Sequence, residues 1–131
     1  MTETSEVLEN IFECAKVAVD KRGTDLLLLD VGGLTSYTDY FLLVSATSDR
    51  RVKTIAESIR QAMKDRGVTA LGVEGLREGR WALLDFGPWI VHVFYEEVRG
   101  NFDLEGLWSD ASRVEIPAAY LEAGPGGEEV F

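Results

Sequence analysis

The chain has 131 residues, of which 46% are hydrophobic and 27% charged, the composition of one globular domain with a full apolar core. Its 13 Lys and Arg face 23 Asp and Glu, a formal net charge of −10. That balance speaks against nucleic acid as the main partner and for a basic protein, since phosphate binding is driven by cationic side chains. One Cys and one His exclude an internal disulfide and a cysteine-rich zinc site.

The first predicted element is a helix over residues 4–22. Ser5 is placed to cap it, Glu6 and Glu9 suit the positive end of the helix dipole, and Lys21-Arg22 close it before Gly23. Val7, Leu8, Ile11, Phe12, Ala15, Ala18 and Val19 recur at helical spacing and form one apolar face. Cys14 has no neighbour that would activate a thiol. Leu26–Val31, a continuous apolar run before Gly32-Gly33, reads as a strand buried on both faces, and Thr38–Ser45 as a second. The connection between them has a length that allows antiparallel pairing. A second helix starts at Thr47-Ser48-Asp49 and runs from about Arg50 to Arg66, with Gly67 ending it. Its outer face carries Arg50, Arg51, Lys53, Arg60, Lys64 and Arg66 and reads as a solvated helix face.

Thr69–Val73 is a predicted third strand. Trp81–Phe86 and Trp89–Tyr95, joined by a Gly87-Pro88 turn, form a hairpin so rich in aromatics that it belongs at the centre of the core. After Gly100-Asn101, Phe102–Trp108 is predicted as a short helix. The order α-β-β-α-β-β-β-α predicts an α/β domain, a five-stranded mixed sheet flanked by helices, over residues 1–111. Residues 112–131, acidic and holding Pro and Gly, are expected to form a loosely attached tail. No basic-then-apolar leader and no long apolar run is present, so a soluble cytoplasmic protein is expected, without membrane association.

The chemistry-bearing residues are sparse. Ser45–Arg51 runs from a strand into a helix, the layout of a nucleotidyltransferase donor loop. Only Asp49 stands nearby where such enzymes need two acids for Mg²⁺, so a helix cap is the favoured reading and a nucleotide-binding enzyme the alternative. His92 is the one candidate base; it shares a strand face with Ile90 and Phe94, the setting of a hydrogen-bonded structural His. Asp85 lies on the face opposite Leu84 and Phe86, free to accept from turn amides, to pair with an Arg or to point at a partner. No Ser-His-Asp or Cys-His spacing stands out, so no catalytic residue, cofactor or metal is expected. Strand alternation cannot bury all of Trp81, Phe86, Trp89, Phe94 and Tyr95 on one face. Trp and Tyr beside a carboxylate are typical of protein interfaces.

A series of segments resembles the Iojap family of bacterial ribosomal silencing factors: Leu29-Asp30-Val31, Thr38-Asp39-Tyr40-Phe41, Ser48 with Asp49-Arg50-Arg51-Val52, and Glu74-Gly75. It continues with Trp81, Leu84-Asp85-Phe86-Gly87, Val91-His92-Val93-Phe94, Arg99 and Leu104-Glu105-Gly106-Leu107-Trp108, in the family's order from about residue 5 to 111. The resemblance implies a nucleotidyltransferase-like fold without the active site. The implied role is non-enzymatic: binding the large-subunit ribosomal protein numbered fourteen, blocking small-subunit joining and lowering translation under nutrient limitation. It also implies homodimers, and the net charge of −10 adds the expectation of little or no direct nucleic-acid binding. Carried over by position, the binding surface falls on Glu74, Trp81, Asp85 and Phe86 and extends to His92, Tyr95, Arg99 and Phe102. The chain departs from the family pattern at Pro88-Trp89, Phe102 and Gly106 and in its acidic tail.

Overall fold

The computed structural model describes residues 2–102, 106 and 108–122, with side chains except at 2–4, 101 and 102. Helix α1 spans Thr2–Asp20, followed by β1 (Thr24–Asp30), β2 (Tyr40–Ala46) and α2 (Asp49–Asp65). Then come β3 (Gly72–Glu74), β4 (Trp81–Asp85), β5 (Trp89–Tyr95), α3 (Glu96–Phe102), β6 (Ser112–Val114) and a 3-10 turn at Ala118–Leu121. The six strands form one mixed sheet in the order β3-β4-β5-β2-β1-β6, in which only β2 and β5 run parallel.

The helix starts follow from local chemistry. At α2 the Ser48 side chain accepts from Arg51 N at 3.1 Å, satisfying one of the free amides at the helix N-terminus. Gly67 ends the helix at φ 84°, with its N–H on Lys64 O at 2.9 Å. Helices α1 and α2 cover one sheet face, where Ile11, Cys14, Ala18, Ile55, Ile59 and Met63 meet Leu28, Leu42, Val44, Leu84, Val91 and Val93. The other face holds a smaller core of Leu29, Val31, Phe41, Leu43, Ile90, Phe94 and Val98, with Trp81, Leu83 and Trp108 packed against it. Apolar side chains therefore lie on both sides of β1, β2 and β5, which is why these strands read as continuous runs rather than alternations.

Four expectations are corrected. Among the described residues the sheet has six strands, not five: Ser112–Val114, inside the segment expected to be loose, pairs antiparallel with β1. Beyond it Ile116 is 8% exposed and Tyr120 packs on Phe12 with ring centroids 5.4 Å apart. A three-residue strand carries no periodicity to read; the open edge of β1 is what orders it. Strand β3 begins at Gly72 rather than Thr69, because Gly72 pairs with Asp85, the last residue of β4, so earlier residues have no strand to pair with. Helix α3, Glu96–Phe102, stands where no helix was expected; Glu96 and Glu97 occupy its first turn, where the dipole favours them, and Gly100, expected to break the chain, lies inside it. Of the expected helix Phe102–Trp108, residues 103–105 and 107 lie outside the described residues.

Candidate functional site: the open face of the outer hairpin

The register of the sheet lines up three rows of side chains on the face away from α1 and α2. One runs from Trp81 to Phe94 and Ser45; the next from Glu74 to Leu83, His92, Leu43 and Leu27; the third from Asp85 to Ile90, Phe41, Leu29 and Arg113. Helix α3 sits on the middle of this face through Val98, and Trp108 packs edge-on against Phe41 at 5.1 Å. What remains at the β3–β4 side is Glu74, exposed, with Trp81, Leu83 and Asp85 half-buried. Leu83 is thus bordered by the carboxylates of Glu74 and Asp85 and, on its other side along β4, by the Trp81 indole.

Each of these groups is held in place. Gly75, at φ 81°, makes the turn after Glu74; a Cβ there would overlap the Trp81 carbonyl oxygen, so only glycine lets β3 turn this tightly beside β4. Asp85 Oδ1 accepts from Gly87 N at 2.9 Å, which ties the carboxylate to the hairpin turn. Its remaining acceptor capacity has no partner among the described residues. Trp81 packs on Phe94 with centroids 5.0 Å apart and donates its indole N–H to His92 Nδ1 at 3.1 Å.

His92 lies beneath this surface, 5% exposed, between Trp81, Phe94 and the edge-on ring of Phe41 at 4.9 Å. Burial pushes its pKa down to about 4, so the ring is neutral at pH 7. Since Nδ1 accepts from Trp81, the ring proton is on Nε2, and Nε2 has no hydrogen-bond partner among the described residues. A neutral His bonded to an indole and walled in by aromatics positions Trp81.

The other residues named from sequence are not brought together here. Phe86 projects to the helix face, 5% exposed and stacked on Trp89 at 5.0 Å. Arg99 is 8% exposed and donates to Asp25 O at 2.7 Å and Ser45 Oγ at 2.8 Å, pinning α3 to the sheet. Tyr95 ends β5 half-buried, with Arg80 over its ring at 5.7 Å. Its hydroxyl donates to Glu97 at 3.1 Å, and that carboxylate pushes the phenol pKa up. The side chain of Phe102 lies outside the described residues. Leu83 was not singled out, though strict alternation in Trp81–Asp85 already put it beside Trp81 and Asp85.

The donor-loop residues are occupied by structural work. Ser45 is buried against Arg99, Ser48 caps α2, and Asp49 accepts from Arg50 N at 2.7 Å. Among the described residues no three His, Cys, Asp or Glu side chains gather as a metal site would require, and no helix is long and apolar enough to cross a membrane.

Fold and surface together define a small α/β domain that presents a preorganised aromatic and acidic patch suited to a protein partner. The model of the family described as "Ribosomal silencing factor during starvation" matches residues 4–128, and this chain belongs to that family. The ribosomal silencing factor of Bacillus subtilis is 38% identical over 109 residues, 82% of this chain and 92% of that protein. The chloroplast protein Iojap of Zea mays is 27% identical over 115 residues, 88% of this chain and 50% of that protein. Among solved structures, protein CV0518 of Chromobacterium violaceum superposes with a TM-score of 0.75 at 30% identity, covering 90% of this chain and 95% of its own. The family is a regulatory one that represses translation in starvation, not a family of enzymes, and its partner is the ribosome.

Proposed function

We propose that this cytoplasmic protein binds the large ribosomal subunit through the ribosomal protein numbered fourteen and blocks joining of the small subunit. Translation falls as a result when nutrients run short. Glu74, Trp81 and Asp85, with Leu83 between them, make the contact: the carboxylates meet Arg and Lys of a basic ribosomal protein, and Trp81 is the desolvated anchor. His92 and Phe94 act from beneath by fixing Trp81. Tyr95 lies at the margin of this footprint and Phe102 is assigned to it from the family pattern alone, while Phe86 and Arg99 support the fold. The observation that carries the reading is the open β3–β4 corner, where an exposed and a half-buried carboxylate border Leu83 beside an indole held by His92. The accompanying fold is nucleotidyltransferase-like, its donor loop turned to capping. A homodimer using the same corner would compete with the ribosome.

The test is co-sedimentation with isolated large and small subunits at low and moderate salt. Binding to the large subunit alone, weakened by salt and lost on Asp85→Arg in a protein that melts normally, is the expected result. No pelleting with either subunit refutes it.

A further inference from the structure

Large apolar side chains exposed to water are informative when they gather. Among the described residues four are exposed, and three of them lie at one end of the sheet: Leu34 at 49%, Tyr37 at 64% and Leu71 at 75%. Leu34 and Tyr37 belong to the loop between β1 and β2, and Leu71 immediately precedes β3. The turn between β4 and β5 joins them. Thr38 Oγ1 donates to Gly87 O at 3.0 Å, Asp39 N to Pro88 O at 3.1 Å, and Leu71 N to Asp85 O at 2.7 Å. From β3 through β4 and β5 to β2 is three strand steps, about 14 Å at the usual ~4.8 Å spacing. These hydrogen bonds make the loop, the turn and Leu71 one fixed rim.

Beside the rim, between the start of α1 and the end of α2, lies a cleft of about 790 Å³ lined by Glu6, Val7, Asp30, Asp39, Tyr40, Val68 and Pro88, among others. Arg66, which also lines it, donates through Nε to Asn10 Oδ1 at 2.8 Å. Three carboxylates, Glu6, Asp30 and Asp39, face the single guanidinium of Arg66 along the cleft lining, and the two aspartates add to the desolvation that pushes the Tyr40 phenol pKa up. The rim is continuous with the partner surface, because Leu71 bonds to the backbone of Asp85.

We propose that this end of the sheet is a second docking surface, on which a basic, partly apolar polypeptide segment of the same ribosomal partner lies across Leu71, Pro88 and Tyr37 and places a Lys or Arg in the Asp30–Asp39 cleft. The inference rests on the ribosome-binding reading and extends its footprint. Apolar contact over the rim supplies affinity, and the carboxylates select a cationic partner.

The test compares three proteins in the large-subunit pelleting assay: the parent, Asp85→Arg, and the double variant Tyr37→Ser with Leu71→Ser. The two serine changes are on exposed side chains, and unchanged melting curves verify folding. Loss of affinity of about tenfold or more in the double variant is expected. Hydroxyl-radical footprinting of the unaltered protein, on and off the subunit, supplies a check that needs no variant: Tyr37 and Leu71 become protected. Parent-like pelleting of the double variant, with Asp85→Arg still inactive, overturns this second surface and leaves the proposed function standing. A change in sedimentation of the double variant alone, with subunit binding intact, assigns the rim to a second copy and also overturns it. If the parent itself fails to pellet, both readings fall.

Discussion

The buried His92 makes stability depend on pH in a way that can be calculated. In the unfolded chain its pKa is about 6.5, whereas burial lowers it to about 4 in the fold. The unfolded state therefore binds a proton below pH 6.5 that the folded state refuses until about pH 4. Stability is fully present above pH 6.5 and is lost as pH falls through that interval. Linkage gives a loss of about 2 kcal/mol between pH 7 and pH 5, and about 3 kcal/mol in all. Against a usual domain stability of about 5–15 kcal/mol this is easily measured. Urea unfolding at pH 7 and pH 5 is the assay, run on the parent and on His92→Gln, whose amide oxygen can still accept from Trp81 but does not titrate. The expected outcome is that the parent loses about 2 kcal/mol more than the variant over that interval. Equal losses would refute the argument, because the pH dependence would then belong to other groups. A protonated imidazole cannot accept from the indole, so the Trp81 fluorescence of the folded protein changes only as pH approaches about 4.

Other outcomes follow from the same geometry. Trp81→Phe keeps the ring on Phe94 but removes the bond to His92; it weakens large-subunit binding more than it lowers the melting temperature. Phe86→Ala removes a ring stacked on Trp89 in the helix-side core and lowers stability by about 3–5 kcal/mol in chemical unfolding. Gly75→Ala meets both a positive φ and the Trp81 carbonyl, so the variant is expressed poorly or melts far below the parent. Burial pushes the Cys14 thiol up to about 12, so iodoacetamide at pH 8 labels it only in denaturant; labelling of the native protein would contradict its burial.

The local signals in the sequence had clear physical sources. Helix α2 was readable because Ser48, an apolar stripe and Gly67 mark its start, face and end. The Gly87-Pro88 hairpin was readable because a turn separates two apolar runs, and it forms with Trp81 opposite Phe94. The sixth strand was not, since three residues without alternation take their order from the edge of β1. For the site, alternation along β4 placed Trp81 and Asp85 on one face and Phe86 on the other. Naming Phe86 with them followed the motif rather than the alternation. The roles of His92 and Arg99 depend on pairings across the sheet and α3, with sequence separations of 11 and 54, which no local pattern carries.

One arrangement connects the fold to the proposed binding. An exposed tryptophan that must be frozen on association loses rotamer freedom, which weakens its contribution. Here the freezing is done during folding: the stack on Phe94 and the bond to His92 fix the ring before any partner arrives. That holds only while His92 is neutral, and the aromatic cage of Phe41 and Phe94 is what lowers its pKa. The apolar core on this face therefore does two things with the same side chains. It stabilises the sheet, and it keeps the imidazole in the one protonation state that can hold the anchor. Subunit binding by the folded parent should accordingly be insensitive to His92 down to about pH 5 and weaken only as pH approaches about 4, and His92→Gln should lack that step. If both proteins lose binding in parallel, the carboxylates of the surface and not the imidazole set the pH response.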